Sequence, residues 1–165
     1  SAAGLYGNFG QANYSAAKTR IGADYKADQA ACATHSGNAK DVCVEQASAK
    51  QKVARAELEY AYSGKPADQN KLKVVQAESA YAVAKEKCDD LAGNAKDVCV
   101  KEAQAAETKA LADAKMGQQI GEAKVDASQA KRDADYKVAV EKCDALAGDA
   151  KTSCLSAAKM SSGKS

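Results

Sequence analysis

Six cysteines fall into three pairs, and each pair encloses ten residues. The copies are Cys32-Ala-Thr-His-Ser-Gly-Asn-Ala-Lys-Asp-Val-Cys43, Cys88-Asp-Asp-Leu-Ala-Gly-Asn-Ala-Lys-Asp-Val-Cys99 and Cys143-Asp-Ala-Leu-Ala-Gly-Asp-Ala-Lys-Thr-Ser-Cys154. The repeat extends beyond the cysteines, because Tyr25, Tyr81 and Tyr136 each lie seven residues before the first cysteine of a pair. The unit recurs after 56 residues and again after 55. A chain built this way folds as three similar pieces rather than around one long-range core.

Each piece reads as a helical hairpin. Upstream of the second pair, Val74, Ala77, Tyr81, Ala84, Cys88 and Leu91 follow one another at intervals of three and four. That spacing lines one face of a helix. Tyr136, Ala139, Cys143 and Leu146 repeat it, and Ile21, Tyr25 and Cys32 give a thinner version. Downstream, Cys99, Ala103, Ala106, Ala110 and Ala114 form a narrow alanine stripe. Between the arms stand Gly37-Asn38, Gly93-Asn94 and Gly148-Asp149. The glycine suits a left-handed residue that ends a helix. The Asn or Asp is expected to cap the next helix. Antiparallel arms then bring the two cysteines to similar height, so the expected disulfides are Cys32–Cys43, Cys88–Cys99 and Cys143–Cys154. A zinc site needs thiolates two to four residues apart, which this spacing does not provide. Redox catalysis is disfavoured because no Cys-X-X-Cys occurs.

Composition agrees with thin, helical packing. Alanine dominates, and Lys, Glu and Gln are also good helix formers. Large aliphatic residues are few, so rods and hairpins are expected in preference to a compact ball. The formal net charge is +2 and charges are interspersed, which implies neither nucleic acid nor an acidic partner. No apolar run approaches the roughly 20 residues of a transmembrane helix.

Breaks between pieces divide the chain into an N-terminal arm 1–15, a first hairpin 16–63, a second 64–117 and a third 118–165. Ser63-Gly64-Lys65-Pro66 stops one helix and starts the next. Met116-Gly-Gln-Gln-Ile-Gly121 is ambiguous. Two glycines cost roughly 1 kcal/mol each inside a helix, so a break and a continuous helix from about 94 to 147 are both open. The third return arm is short, and the polar stretch Glu122 to Asp135 has no covering partner within its own piece.

Three segments resemble a known group. ARAELEYAYSGKPADQNKL and CDDLAGNAKDVCVKEA, together with KRDADYKVAVEKCDALAGDAK, resemble small Ala/Lys-rich exported proteins of proteobacteria, often called TolA-like cell-envelope proteins. The resemblance covers roughly residues 20–160 and leaves the first 15 outside it. It implies an envelope or exported location and transfers no catalytic residue. Six paired cysteines also point to an oxidising compartment, periplasmic or extracellular. A start at Ser1-Ala-Ala-Gly is expected of a mature chain after signal-peptide removal.

No acid, base and nucleophile assemble from the sequence, and no catalytic residue, metal ligand or cofactor is assigned. His35, the sole histidine, falls in a turn where the other copies carry Leu91 and Leu146. The carboxylates read as solvated helix faces with lysine partners. Leu5, Tyr6, Phe9 and Tyr14 mark the N-terminal segment as an assembly arm that docks on a neighbouring subunit, or as a self-packed tail. The function expected is that of a non-enzymatic exported structural protein. It would self-associate as a homo-oligomer or homopolymer, in the form of an extracellular filament. The alternative is a periplasmic stress protein that binds metal cations or a partner protein.

Overall fold

The fold is all-α, as expected. The structure is a computed structural model in which residues 10–164 are described. Five helices occur among these residues: α1 (Gln11–Cys32), α2 (Gly37–Ser63), α3 (Pro66–Cys88), α4 (Gly93–Cys143) and α5 (Gly148–Ser161). The chain divides into two compact units, Ser1–Gln118 and Gln119–Ser165. Helix α4 is continuous through Gly117 and Gly121. Strong helix formers on both sides of the two glycines outweigh their cost.

In the first unit the helices pack in chain order, each antiparallel to the next. The register of α1 on α2 is fixed by Cys32–Cys43, by the ion pair Asp28–Lys50 at 3.3 Å and by Tyr14 with Glu59. Helix α2 then packs along α3. Between them Gly64 is left-handed (φ 63°), and its N–H donates to the Tyr60 carbonyl at 2.8 Å. Pro66 opens α3, where its missing N–H costs nothing. The Ser63 hydroxyl donates to the Asp68 carboxylate and accepts from the Lys65 N–H at 3.1 Å. Helix α3 pairs with the first part of α4 through Cys88–Cys99 and through the Asn70 amide, which donates to Gln118 Oε1 at 3.4 Å.

The apolar cluster of this unit lies in the first hairpin. Ala17, Ile21 and Leu58 form a buried cluster, with Tyr14 and Ala54 packed against it. Outside that cluster the buried residues are Ala47, Ala56, Ala77, Ser79, Ala103, Ala114, Cys32 and Cys88. The stripe expected along α4 holds at Cys99, Ala103, Ala110 and Ala114, but Ala106 is exposed and Glu107 takes the half-buried position. The stripe expected on α3 ends at Cys88. The helix stops there, so Leu91 lies in the turn and is 45% exposed.

In the second unit the later part of α4 pairs with α5. Cys143–Cys154 joins them at one end, and Lys164 returns to Asp133 at 3.1 Å at the other. Helix α5 ends for a local reason. Gly163 is left-handed (φ 71°), and the Lys164 N–H donates to the Lys159 carbonyl at 2.7 Å. Such a bond takes up a carbonyl left free at a helix C-terminus.

Candidate functional site

The three cysteine loops have nearly the same geometry. The paired cysteine Cα atoms lie 5.5, 5.7 and 5.6 Å apart, and no cysteine is free. Four residues link each pair of helices. Their third N–H (His35, Leu91 and Leu146) donates to the carbonyl of Cys32, Cys88 and Cys143 at 3.0 Å. Gly37, Gly93 and Gly148 are left-handed, with φ of 59°, 59° and 58°. Only glycine takes that conformation without strain. The glycine opens the return helix, however, and does not close the outgoing one.

That shift changes the role of the next residue. The residue before the return helix is Ser36 in the first copy and Ala147 in the third, and neither makes a side-chain capping bond. Asn38 and Asp149 already lie inside their helices and cap nothing. The Asn38 amide is buried without a hydrogen-bond partner among the described residues. Asp149 instead places a negative charge in the first turn of α5, where the helix dipole favours it. Asn94 is exposed.

Two turns carry a further brace that the sequence reading missed. Asp89 pairs with Lys96 at 3.2 Å and Asp144 with Lys151 at 3.6 Å. The first copy has Ala33 where those aspartates stand and His35 where they have leucine, and His35 is exposed. Leu91, Val98 and Leu146 are also exposed beside the turns, at 45, 46 and 44%.

The repeated tyrosines are half-buried in all three copies. Tyr136 has Lys164 Nζ 5.1 Å from its ring centre. Asp133, beside it, accepts from Gln129 at 2.9 Å and pairs with Lys164. Those two contacts hold its carboxyl below the usual carboxylate range. Glu86 shows the opposite effect. Partial burial raises its carboxyl first, and Asp89, Asp41 and Glu45 raise it further by repulsion. Among the described residues, no three of His, Cys, Asp and Glu are placed to hold a metal ion. No helix among them is long and apolar enough to cross a membrane.

Of the expected assembly-arm residues, Leu5, Tyr6 and Phe9 lie outside the described residues. Tyr14 lies inside α1. Its hydroxyl donates to Glu59, its ring centre is 4.6 Å from that of Tyr62, and Lys18 Nζ is 5.4 Å above it. The bond to Glu59 stabilises the neutral phenol, and this is the first cause of the raised Tyr14 pKa.

A groove of about 580 Å³ runs between α1 and α2, with Ile21, Tyr25 and Val53 among its walls and Arg20, Asp24 and Lys50 along its sides. The more extensive bare surface is in the second unit. Residues 119–132 of α4 are all exposed. Ile120, Ala123, Ala127, Ala130, Ala134 and Val138 recur at intervals of three and four, and every one is exposed, Ile120 at 49% and Val138 at 55%. At 100° per residue the centre of this stripe lies about 170° around the helix from Tyr136 and Cys143 and about 110° from Asp133, the residues of α4 that engage α5 and the residues just after it. Comparison of the chain with protein-family models, with curated proteins and with solved structures returns no match.

Proposed function

We propose that the protein is a non-enzymatic, exported structural protein that self-associates and serves as the subunit of an extracellular filament. The observation that carries this reading is the bare apolar stripe of α4 in the second unit. Heptad-like spacing of apolar residues is the pattern by which helices of separate chains pair. Here it faces solvent from Ile120 to Val138. The disulfides support the exported location, since such bonds persist in oxidising compartments and stabilise chains whose apolar interior is small. The resemblance to Ala/Lys-rich envelope proteins points the same way.

Sedimentation velocity at low and high protein concentration, followed by electron microscopy of the concentrated sample, tests the proposal. Mass rising with concentration and elongated assemblies on the grid are expected. Monodisperse monomers at every concentration would overturn it.

A further inference from the structure

We infer that the exposed stripe of α4 pairs with the same stripe of a second copy, side by side and in parallel, in a register set by Asp126 and Lys131. The inference rests on the self-association proposed above and specifies its contact.

The argument comes from the edges of the stripe. Take Ile120, Ala127 and Ala134 as one set of core positions and Ala123 and Ala130 as the other. Lys124 and Lys131 then flank one edge, and Asp126 and Asp133 flank the opposite edge. Flanking charges decide partner and orientation in paired helices. In an antiparallel pair like edges meet, so lysine faces lysine and aspartate faces aspartate. In a parallel pair each edge meets the opposite one, and a residue contacts the position five further along in the partner. Asp126 and Lys131 are five apart. A parallel pair therefore makes the contact between Asp126 and Lys131 of the second copy twice, once on each side of a two-fold axis. Asp133 is already engaged by Lys164 and Gln129 and is not needed for this register.

The alanines fit the same arrangement. Small core residues let two helices approach closely, while Ile120 supplies a larger apolar group at one end and Val138 follows Lys124 and Lys131 along the edge, opposite the Asp133 side. Such a pair is closed on itself, so a filament would join pairs through another surface.

Charge reversal in the full, oxidised chain tests the inference by sedimentation equilibrium. Asp126→Lys alone and Lys131→Asp alone should each weaken association about tenfold, because two attractive contacts become repulsive. An equal mixture of the two variants should associate as mixed pairs with close to the original affinity, and so should the chain carrying both changes. Circular dichroism of each variant shows whether the helix is retained, and these exposed positions should retain it. If either single variant associates as well as the unaltered chain, or if mixing restores nothing, the parallel register is wrong while self-association stands. If the unaltered chain remains monomeric at all concentrations, the underlying reading falls with it.

Discussion

The first hairpin and the second unit carry the same staple but rest on different foundations. In the first hairpin the arms are joined at one end by Cys32–Cys43 and pack toward the other around Ile21, Ala17 and Leu58, with Leu58 only 1% exposed. The far end is therefore held by apolar packing, with Tyr14 bonded to Glu59 above it. In the second unit the buried residues of α4 and α5 are Cys143 and Ala158, with Ser162 just beyond. Its far end is held by Lys164, which reaches Asp133 and the face of Tyr136. One repeat can thus be completed by a small core or by a few polar contacts. The disulfide carries more of the total in the second case.

The largest expected effect breaks that comparison directly. Replacing Cys143 and Cys154 by serine removes a cross-link worth on the order of 3 kcal/mol for a loop of this size. With so little packing behind it, α5 should lose its helix. Hydrogen exchange should show fast exchange over residues 148–161 and little change in α1 to α3. The same change at Cys32 and Cys43 should lower the stability of the first hairpin by a similar amount yet leave it folded. If both hairpins behave alike, the division of labour proposed between core and staple is wrong.

Comparable in size, but confined to the first hairpin, is Leu58→Ala. Truncating a buried leucine costs about 2–5 kcal/mol. The loss should appear in denaturant unfolding followed by a probe in α1, and α5 should not change its exchange rates.

The smallest effects separate the two regions by pH. Tyr14 has a raised pKa because its neutral form donates to Glu59. Its contribution is complete below the ordinary tyrosine value of about 10 and is lost as pH rises through the folded value. Asp133 has a lowered pKa, so its contribution is present above the ordinary aspartate value of about 4 and is lost as pH falls through the folded value. Tyr14→Phe should therefore flatten the alkaline limb of stability in the first hairpin. Asp133→Asn should flatten the acid limb in the second unit. Both are small shifts of melting temperature, measured from pH 3 to 11, and they should not exchange places.

Much of this was legible in the residues. Identical spacing of cysteine, glycine and tyrosine in three copies leaves little freedom, because a tight turn needs its left-handed glycine and a short disulfide needs antiparallel arms. What was not legible came from single contacts between distant positions. Leu58 meets Ile21 across the hairpin, and only the register of α1 on α2 brings them together. Ala47, Ala54 and Leu58 do lie at intervals of seven and four, so a signal for that face existed. The capping role expected of Asn38 and Asp149 failed because the return helices begin at the glycine, which puts the cap on the residue before it, two residues earlier than the pattern implies. Whether Gly117 and Gly121 interrupt α4 depended on a balance of about 1 kcal/mol per glycine against the surrounding helix formers. Lys164 gave no signal, since its two partners are brought to it only by the return of α5.

The position of the staples has a consequence for resistance to proteolysis. The segments 33–36, 89–92 and 144–147 are exposed links between helices, the kind of site at which proteases cut. Every one of them lies between the two cysteines of a pair. A chain severed there is still one covalent molecule, with both helices tethered next to the cut. Only a reductant would release the pieces, so a single cleavage in any of these three exposed links leaves the helices joined.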